Sequence, residues 1–486
     1  MADANPDTSQ PVRPGEPEVR AFWNTHALRF IYAPAFDLPA VKGAASYRFA
    51  IRSHDELTHT FDAPKPWAAL TPVWNEVGEG YTKLTVDGLD AAGNKIGTSG
   101  ERVFYRSPGF SEQIDSAPAA YHDAGRSALR AIFEAPHVQY WLKDAKPDPS
   151  YARYCYPNKV IGAVVRAMTA YSIAAESEKD RASALEIARR AADYLLSLRL
   201  PANSPYANVP PTYALDVASP TRVTLPRVKD HWLMVPSVID SSLGFLDLYD
   251  ATHDAKYLDA AKAIADTFVK TQESDGTWPL MANDQTGKAI ENQRLVPTWV
   301  IFFFDRLDRQ YHLPAYQAAR ARAWSWIVEH PLKNYQWDAQ FEDVKPREPY
   351  VNLAREQACD VANLLLSNPQ RTSDEIAQAE ELLRFAEDQF VVWTPVQDVA
   401  GWKKAMPNRR KNCEVWMTPC VLEQYVCYDP VASESSRSHA QAGVSREGAG
   451  AGQRYARRPG VARERIRRQR RNPDVEHEAQ ADQLAK

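Results

Sequence analysis

The segments that connect the predicted helices alternate strictly between short and long from residue 111 to residue 430. An apolar period of 3.6 residues runs through this stretch, and it predicts helices near 120–134, 158–175, 180–198, 236–250, 255–271, 296–309, 314–329, 352–366, 374–391 and 414–428. The short connections are 176–179, 251–254, 310–313 and 367–373, and the long ones are 199–235, 272–295, 330–351 and 392–413. This alternation is typical of helical hairpins repeated along a chain.

Hairpins that pack side by side bring all long connections to one end of the assembly and all short turns to the other. If the hairpins close into a ring, they form an (α/α)6 toroid with the long connections around one mouth. Helices that follow a long connection, such as PSVIDSSLGFLDLY and VPTWVIFFF, are apolar on more faces than their partners. We therefore expect them to form the inner ring, because a helix that is apolar all round is buried.

The N-terminal part of the chain has a period of two residues instead. The segments LRFIYAP, SYRFAIRS, YTKLTVDGLD and ERVFYRS alternate apolar and polar residues. They predict a small fibronectin- or immunoglobulin-like β-sandwich over residues 26–110, preceded by a flexible leader over 1–25. Such a sandwich either buttresses its neighbour or binds glycan through Trp67 or Trp74. The predicted fold class is therefore mainly α, an (α/α)6 toroid preceded by a small β-sandwich.

The two ends of the recorded chain differ from the part between them. Residues 431–486 are rich in arginine and poor in apolar residues, which predicts a disordered tail. The tail begins where another helix is due, so the sequence leaves open whether the toroid over 111–430 is complete. The first residues contain no apolar signal core, so the recorded chain is expected in the cytoplasm. A trimmed export signal would make the protein periplasmic or secreted, and the compartment stays unknown.

Composition and missing motifs argue against several classes of function. A net charge of −4 on 486 residues gives no reason to expect nucleic acid as a partner. The chain lacks an apolar run of about 18 residues, so we expect no membrane span. Five cysteines without a Cys-x-x-Cys pair argue against a disulfide framework or a zinc site. Gly-rich phosphate loops, Gly-x-Ser-x-Gly elbows, His-Glu-x-x-His motifs and EF-hand loops are also missing, which argues against nucleotide-dependent enzymes, esterases and zinc peptidases. We name no metal ligands and no cofactor.

Aromatic and charged residues are concentrated in the long connections and in the helices that follow them. Aromatic rings beside charged groups suit the binding of sugars, which present an apolar face and a polar edge. The candidate substrate-binding residues are Tyr156, Arg166, Tyr213, Trp278, Arg294, Trp299, Trp337, Tyr350 and Arg355. The candidate catalytic residues are Glu342, Asp343, Asp240, Glu291 and His231.

The candidate carboxylates fit glycoside cleavage, which uses one carboxylic acid as proton donor and a second carboxylate as base or nucleophile. Glu342 or Asp343 would supply one of these groups, and Asp240 or Glu291 the other. The sequence does not choose within either pair. Each of these acids could instead be a solvated or helix-capping carboxylate.

The candidate cations and the histidine also have two interpretations each. Arg166, Arg294 and Arg355 could hold the carboxylate of a uronic acid with a planar guanidinium group, or they could pair with nearby acidic side chains. His231 could transfer a proton, or it could be a partly buried residue that only makes hydrogen bonds. The sequence leaves both alternatives open.

Several segments together resemble a known group of proteins. They are SYRFAI…PVWNEVGEGYTKLTVDGLDAAG, YCYPNKVIGAVVRAM, DGTWPLMANDQTG, WDAQFEDV and CEVWMTPCVLEQY, and they cover roughly residues 28–430. This part of the chain resembles bacterial carbohydrate-active proteins that combine an N-terminal β-sandwich with an (α/α)6 toroid. The nearest groups are exo-β-glucuronidase-like glycoside hydrolases (family 154-like), with unsaturated glucuronyl hydrolases, toroid polysaccharide lyases and glucuronyl epimerases as relatives.

The resemblance implies three alternative functions. The leading hypothesis is an exo-acting hydrolase of glucuronic-acid-containing glycans. The second is a uronate lyase or C5-epimerase that abstracts a proton with Tyr213 or His231. The third is a toroid that only binds a glycan or a protein. The expected partner is a glycan or oligosaccharide, and a homodimer is compatible with the sequence.

Overall fold

A computed structural model of the chain describes residues 8–12, 29–107, 120–214, 231–337, 340 and 357–390. The described part is mainly helical and carries a small sheet near its N-terminal end. Most of the predicted leader, the predicted helix 414–428 and the predicted tail 431–486 lie outside the described residues. Among the described helices, none is both long enough and apolar enough to cross a membrane.

The N-terminal sheet contains five strands in the spatial order β1-β5-β4-β2-β3. Their bounds are Arg29–Phe30 for β1, Ser46–Arg52 for β2, Thr58–Ala63 for β3, Gly80–Leu89 for β4 and Lys95–Arg106 for β5. The short β1 runs parallel to β5, and all other neighbours are antiparallel. In the register, Phe49 of β2 lies opposite Phe61 on one side and opposite Val86 on the other.

One face of this sheet is buried under loops. The side chains of Phe49 and Val86 are almost completely buried, as the alternation of apolar residues predicts. The covering layer includes Trp74, whose indole N–H donates a hydrogen bond of 2.9 Å to the carbonyl oxygen of Ile31. Within the described residues this part of the chain forms one sheet covered by coil, and the β-sandwich over 26–110 stays a prediction. Alternation shows that a strand face is buried, but it does not distinguish a covering strand from a covering loop.

The helices agree with the predicted segments to within a few residues where both are described. Their bounds are Tyr121–Phe133 (α1), Pro136–Lys143 (α2), Gly162–Ala174 (α3), Glu178–Ser197 (α4), Val235–Thr252 (α5), Ala255–Thr271 (α6), Thr298–Tyr311 (α7), Gln317–Glu329 (α8), Pro331–Asn334 (α9), Gln357–Ser367 (α10) and Ser373–Phe390 (α11). A π-helical turn, Pro157–Ile161, precedes α3. The sequence interpretation missed α2, which has only eight residues and is too short to show a clear period.

Helical hairpins are the repeating unit, as predicted. Each of α3, α5, α7 and α10 packs against the next helix of its own hairpin, which is α4, α6, α8 or α11 respectively. In addition, α3 packs on α5, α5 on α7 and α7 on α10, so these four helices form a continuous inner row. The inner row is strongly apolar, and α5 alone contributes twelve buried residues. Of these four helices, α5, α7 and α10 each begin after one of the long connections, so the described parts of those connections lie at the end of the row where these helices start.

A second, two-stranded sheet lies at that end. It pairs β6, Trp232–Met234, with β7, Met281–Asn283, in antiparallel register. The two strands belong to different long connections, 199–235 and 272–295, so the pairing ties these connections to each other. Strand β6 ends at Met234, directly before α5, so the paired strand fixes the start of that helix.

Candidate functional site

Arg166, Asp240 and Trp299 come from three different helices of the inner row and lie close together. Nη1 of Arg166 lies 4.0 Å from Oδ1 of Asp240. The guanidinium carbon of Arg166 lies 5.9 Å from the centroid of the Trp299 ring. The two charged side chains are largely buried, with 15% and 12% of their surface exposed, and such burial strengthens the attraction between charges. Three predicted site residues therefore meet at one place.

Two glycines allow α3 and α5 to approach closely enough for this contact. A Cβ atom on Gly162 of α3 would lie 3.1 Å from the backbone nitrogen of Ser241. A Cβ atom on Gly244 of α5 would lie 3.2 Å from Cγ of Arg166. The stem of Arg166 is therefore wedged against the α5 backbone, level with the acidic residues of that helix.

Asp247 and Arg306 extend the cluster along the inner row, and the sequence interpretation missed both. Asp247 accepts a hydrogen bond of 3.4 Å from Nε of Arg166 and another of 2.5 Å from Nη1 of Arg306. Burial lowers the pKa of Arg306, but Asp247, Tyr311 and Asp250 together raise it by more, so the pKa is raised overall. A spacing of seven residues, from Asp240 to Asp247 and from Trp299 to Arg306, was the available signal, because it places each pair on one helix face.

His231 has a carboxylate partner, Asp284, that also was not among the predicted residues. Nδ1 of His231 lies 3.1 Å from Oδ1 of Asp284, and the backbone N–H of Asp284 donates to the carbonyl oxygen of His231 at 2.9 Å. The hydroxyl group of Ser204 holds the carbonyl oxygen of Asp284 at 2.6 Å. Burial raises the pKa of Asp284, and His231 partly offsets this rise. About half of the His231 side chain is exposed.

Tyr156 and Tyr213 form an aromatic pair beside the start of α3. Their ring centroids are 5.6 Å apart in an edge-to-face arrangement, and Trp232 packs against the buried cluster of Cys155 and Tyr213. The backbone N–H of Ala214 donates to the carbonyl oxygen of Cys155, which joins the two segments. The structure therefore brings together two predicted residues that are far apart in sequence.

Trp278 and Trp337 lie in the helical core. Both side chains have 0% of their surface exposed. The indole N–H of Trp278 donates 3.0 Å to the carbonyl oxygen of Phe268, and the ring of Trp337 stacks on Phe385. Because protein atoms cover both rings, their contacts favour core packing over sugar binding. The aromatic content of the sequence could not distinguish these two roles, since large helical cores also contain many tryptophans.

Arg294 follows the alternative interpretation, in which it pairs with acidic side chains. Its guanidinium nitrogens lie 2.6 Å from Glu273 and 2.5 Å from Asp275, both in the connection that contains Arg294 itself. Burial lowers its pKa, but the two carboxylates more than compensate and raise it. Glu291, in the same connection, is partly buried. The contacts of Arg294 thus favour a role in holding this connection together.

The remaining predicted residues, Glu342, Asp343, Tyr350 and Arg355, lie outside the described residues. Gln340 is described and buried. Its amide bridges the chain before α7: Oε1 accepts from the backbone N–H of Val296 at 2.9 Å, and Nε2 donates to the carbonyl oxygen of Arg294 at 2.7 Å.

Known proteins offer a distant likeness only. No protein-family model matches the chain, and no curated protein matches it. A family 76 glycoside hydrolase from a bovine Bacteroides thetaiotaomicron strain is similar at a TM-score of 0.39 and 11% identity, over 71% of this chain and 72% of that one. An unsaturated glucuronyl hydrolase from Bacillus sp. GL1 gives 0.37 and 15%, over 57% of this chain and 76% of that one.

A third similar structure is an unsaturated glucuronyl hydrolase specific for heparin. Its TM-score is 0.36 and its identity 10%, over 66% of this chain and 98% of that one. The first is a glycoside hydrolase by name and the other two are glucuronyl hydrolases by name, and the likeness is one of shape at low identity. It does not extend to a substrate or to a mechanism.

Proposed function

We propose that the protein is a glycoside hydrolase that acts on glucuronic-acid-containing glycans, and that it removes residues from a chain end. The observation that carries the proposal is the meeting of Asp240, Arg166 and Trp299 on the inner row. A planar cation and a partly exposed indole ring suit the binding of an acidic sugar, and the carboxyl group is one of the two that its cleavage requires.

Each residue of this trio has a distinct role in the proposal. The indole ring of Trp299 packs against the apolar face of a sugar, and the guanidinium group of Arg166 pairs with the uronate carboxylate. Asp240 provides one of the two carboxyl groups for cleavage. One carboxyl group donates its proton to the glycosidic oxygen as the bond to the anomeric carbon breaks, and the other activates water or attacks that carbon.

Glu342 or Asp343 is the proposed second carboxyl group. Gln340 supports this choice, because its hydrogen bonds fix the chain two residues before Glu342 to the residues that lead into α7. That helix carries Trp299. A separation of about 5 Å between the two carboxyl groups would give retention of configuration, and about 6.5–9.5 Å would give inversion.

The test is an assay of the full chain on 4-nitrophenyl β-D-glucuronide and on glucuronide-terminated oligosaccharides, with mass spectrometry of the products. We expect release of saturated glucuronic acid, and we expect Asp240→Asn to lower kcat by at least about 100-fold. Asp193→Asn is the matched control. Asp193 lies on α4, about half of its side chain is exposed, and it pairs with Lys256. Full activity of Asp240→Asn would remove Asp240 from the mechanism, and absence of turnover by the native chain would contradict the hydrolase proposal.

A uronate lyase or C5-epimerase is the second candidate, and the contact between His231 and Asp284 favours it. An ionised carboxylate only accepts hydrogen bonds, so Asp284 would hold the proton on Nδ1 and direct the basic Nε2 away from itself. Such an imidazole can abstract the proton next to a uronate carboxylate. A lyase would release an unsaturated uronate with strong ultraviolet absorbance, and an epimerase would exchange the C5 proton with solvent deuterium. Binding without any of these reactions would indicate a toroid that only binds glycan.

A further inference from the structure

Asp247 lies at the centre of a chain of charges along the inner row. Its two carboxylate oxygens contact two different arginines: Oδ2 lies 3.4 Å from Nε of Arg166, and Oδ1 lies 2.5 Å from Nη1 of Arg306. Asp247 belongs to α5, whereas the arginines belong to α3 and α7. One carboxylate therefore joins three successive helices of the row.

Arg306 is held firmly on the side away from Arg166. Its Nη2 donates to Asp250 at 2.8 Å, and its Nε donates to Gln310 at 3.1 Å. Its side chain is mostly buried. Because its contacts with Asp250 and Gln310 hold the guanidinium in place, Arg306 presents Nη1 to Asp247 and fixes the orientation of that carboxylate.

Asp247 in turn fixes the orientation of Arg166. A guanidinium group is planar, so a bond from Nε to Asp247 determines where the two terminal nitrogens lie. Nη1 lies on the Asp240 side, 4.0 Å from Oδ1. Gly244, between the two acids on α5, leaves no spare room beside the Arg166 stem.

We propose that Asp247 is a positioning and specificity residue, which holds Arg166 so that its terminal nitrogens take the carboxylate of an acidic sugar beside Asp240. This inference rests on the proposed function, and it deepens it by naming what makes the site select acidic over neutral sugars. Asp247 itself contacts Arg166 and Arg306, not the sugar. A neutral sugar does not use the guanidinium fork, so the loss of Asp247 affects only the acidic ligand.

The test measures the binding of methyl β-D-glucuronide and methyl β-D-glucoside to the full chain by calorimetry. In Asp247→Asn we expect the affinity for the glucuronide to fall by about tenfold or more, because a charge-assisted hydrogen bond that orients Arg166 is lost. We expect the weaker affinity for the glucoside to stay within about twofold. Asp193→Asn, which also removes a carboxylate from an ion pair but lies on α4, should leave both affinities unchanged.

Two further variants test the role of Asp247 independently, in case Asp247→Asn does not fold. Arg306→Lys keeps the charge but removes the fork that aligns Asp247, and we expect a smaller loss of glucuronide affinity than in Asp247→Asn. Asp247→Glu keeps the carboxylate and should restore part of the affinity. Thermal melts by circular dichroism verify the fold of each variant.

The outcomes separate this inference from the function on which it rests. If the native chain binds neither sugar, the proposed uronide function fails. If the native chain prefers the glucuronide and both Asp247→Asn and Arg306→Lys keep that preference, the role of Asp247 is overturned. An equal loss of affinity for both sugars would also overturn it, because such a loss reflects general damage to the row.

Discussion

At the scale of single residues, position relative to the core decides whether a side chain can serve a site. Trp278 lies in the long connection 272–295 and Trp299 in the helix that follows it, so their sequence contexts are alike. The ring of Trp278 is covered on all sides, whereas the ring of Trp299 is partly exposed and lies beside Arg166. We therefore expect different effects when each of the two tryptophans is replaced.

Replacing either tryptophan by alanine tests this difference. Trp278→Ala removes a buried indole and its hydrogen bond to Phe268, and we expect a loss of about 3–5 kcal/mol in the free energy of unfolding. Trp299→Ala should lower that free energy by only about 1 kcal/mol, but it should weaken sugar binding by about tenfold. Urea unfolding and calorimetry measure the two quantities, and the reverse pattern would refute the assignment.

The buried carboxyl group of Asp284 should make the stability of the protein depend on pH. Burial raises its pKa in the folded state, above the ordinary value of 3.8. The folded state thus holds the carboxyl proton of Asp284 more tightly than the unfolded state. The protonated carboxyl group therefore adds to the free energy of unfolding below pH 3.8, and this contribution is lost as pH rises through the folded pKa. In Asp284→Asn this loss disappears. Urea unfolding at a series of pH values should show the stability of the variant rising relative to the native chain over that range, and a constant difference would contradict the buried carboxylate.

At the scale of elements, the crossing of α3 and α5 determines the geometry of the site. A Cβ atom at Gly162 or Gly244 would make contacts of 3.1–3.2 Å with the facing helix, which are tighter than most Cβ contacts, so the two helices approach closely where that atom is missing. The sequence showed both glycines, but it did not show that they face each other. The contact is non-local, since residues about 80 positions apart meet there, as in the bond between Arg166 and Asp247.

Glycine-to-alanine substitutions in two helices test this crossing. In Gly162→Ala the new methyl group would press on the backbone of Ser241, and we expect a loss of about 1–3 kcal/mol despite the better helix propensity of alanine. Gly125→Ala in α1 is the matched control, because no atom lies within 4 Å of the position that its new methyl group would take. There the higher propensity should stabilise the protein by up to about 1 kcal/mol. Equal effects in thermal unfolding would argue against a close crossing.

At the scale of the whole molecule, the inner row is the most buried part of the described helices. Twelve of the eighteen residues of α5 are buried, whereas only four of the thirteen residues of α8 are. Protection from hydrogen exchange follows burial and packing. We therefore expect the amide groups of α5 to exchange much more slowly than those of α8, measured by mass spectrometry on proteolytic fragments. Similar rates would show that the two helices do not differ as inner and outer layers.

The sequence by itself determined the hairpin repeat, the approximate bounds of most described helices and four of the five strands of the N-terminal sheet, with β3 missed. These features depend on local periods of 3.6 and two residues, which a chain shows without reference to its distant parts. The same logic placed the candidate residues at the ends of the inner helices, where Arg166, Asp240 and Trp299 were found.

Only the tertiary structure decided which candidates meet and which are buried. It shows that Arg166 lies beside Asp240 and that Trp278 lies in the core. It also shows the contacts of Asp247, Arg306 and Asp284, which the sequence interpretation had not included. The physical reason is that a local period identifies a helix face but not the neighbour that covers it. Whether a ring or a carboxylate faces the core, another helix or a substrate depends on contacts between residues that are distant in sequence.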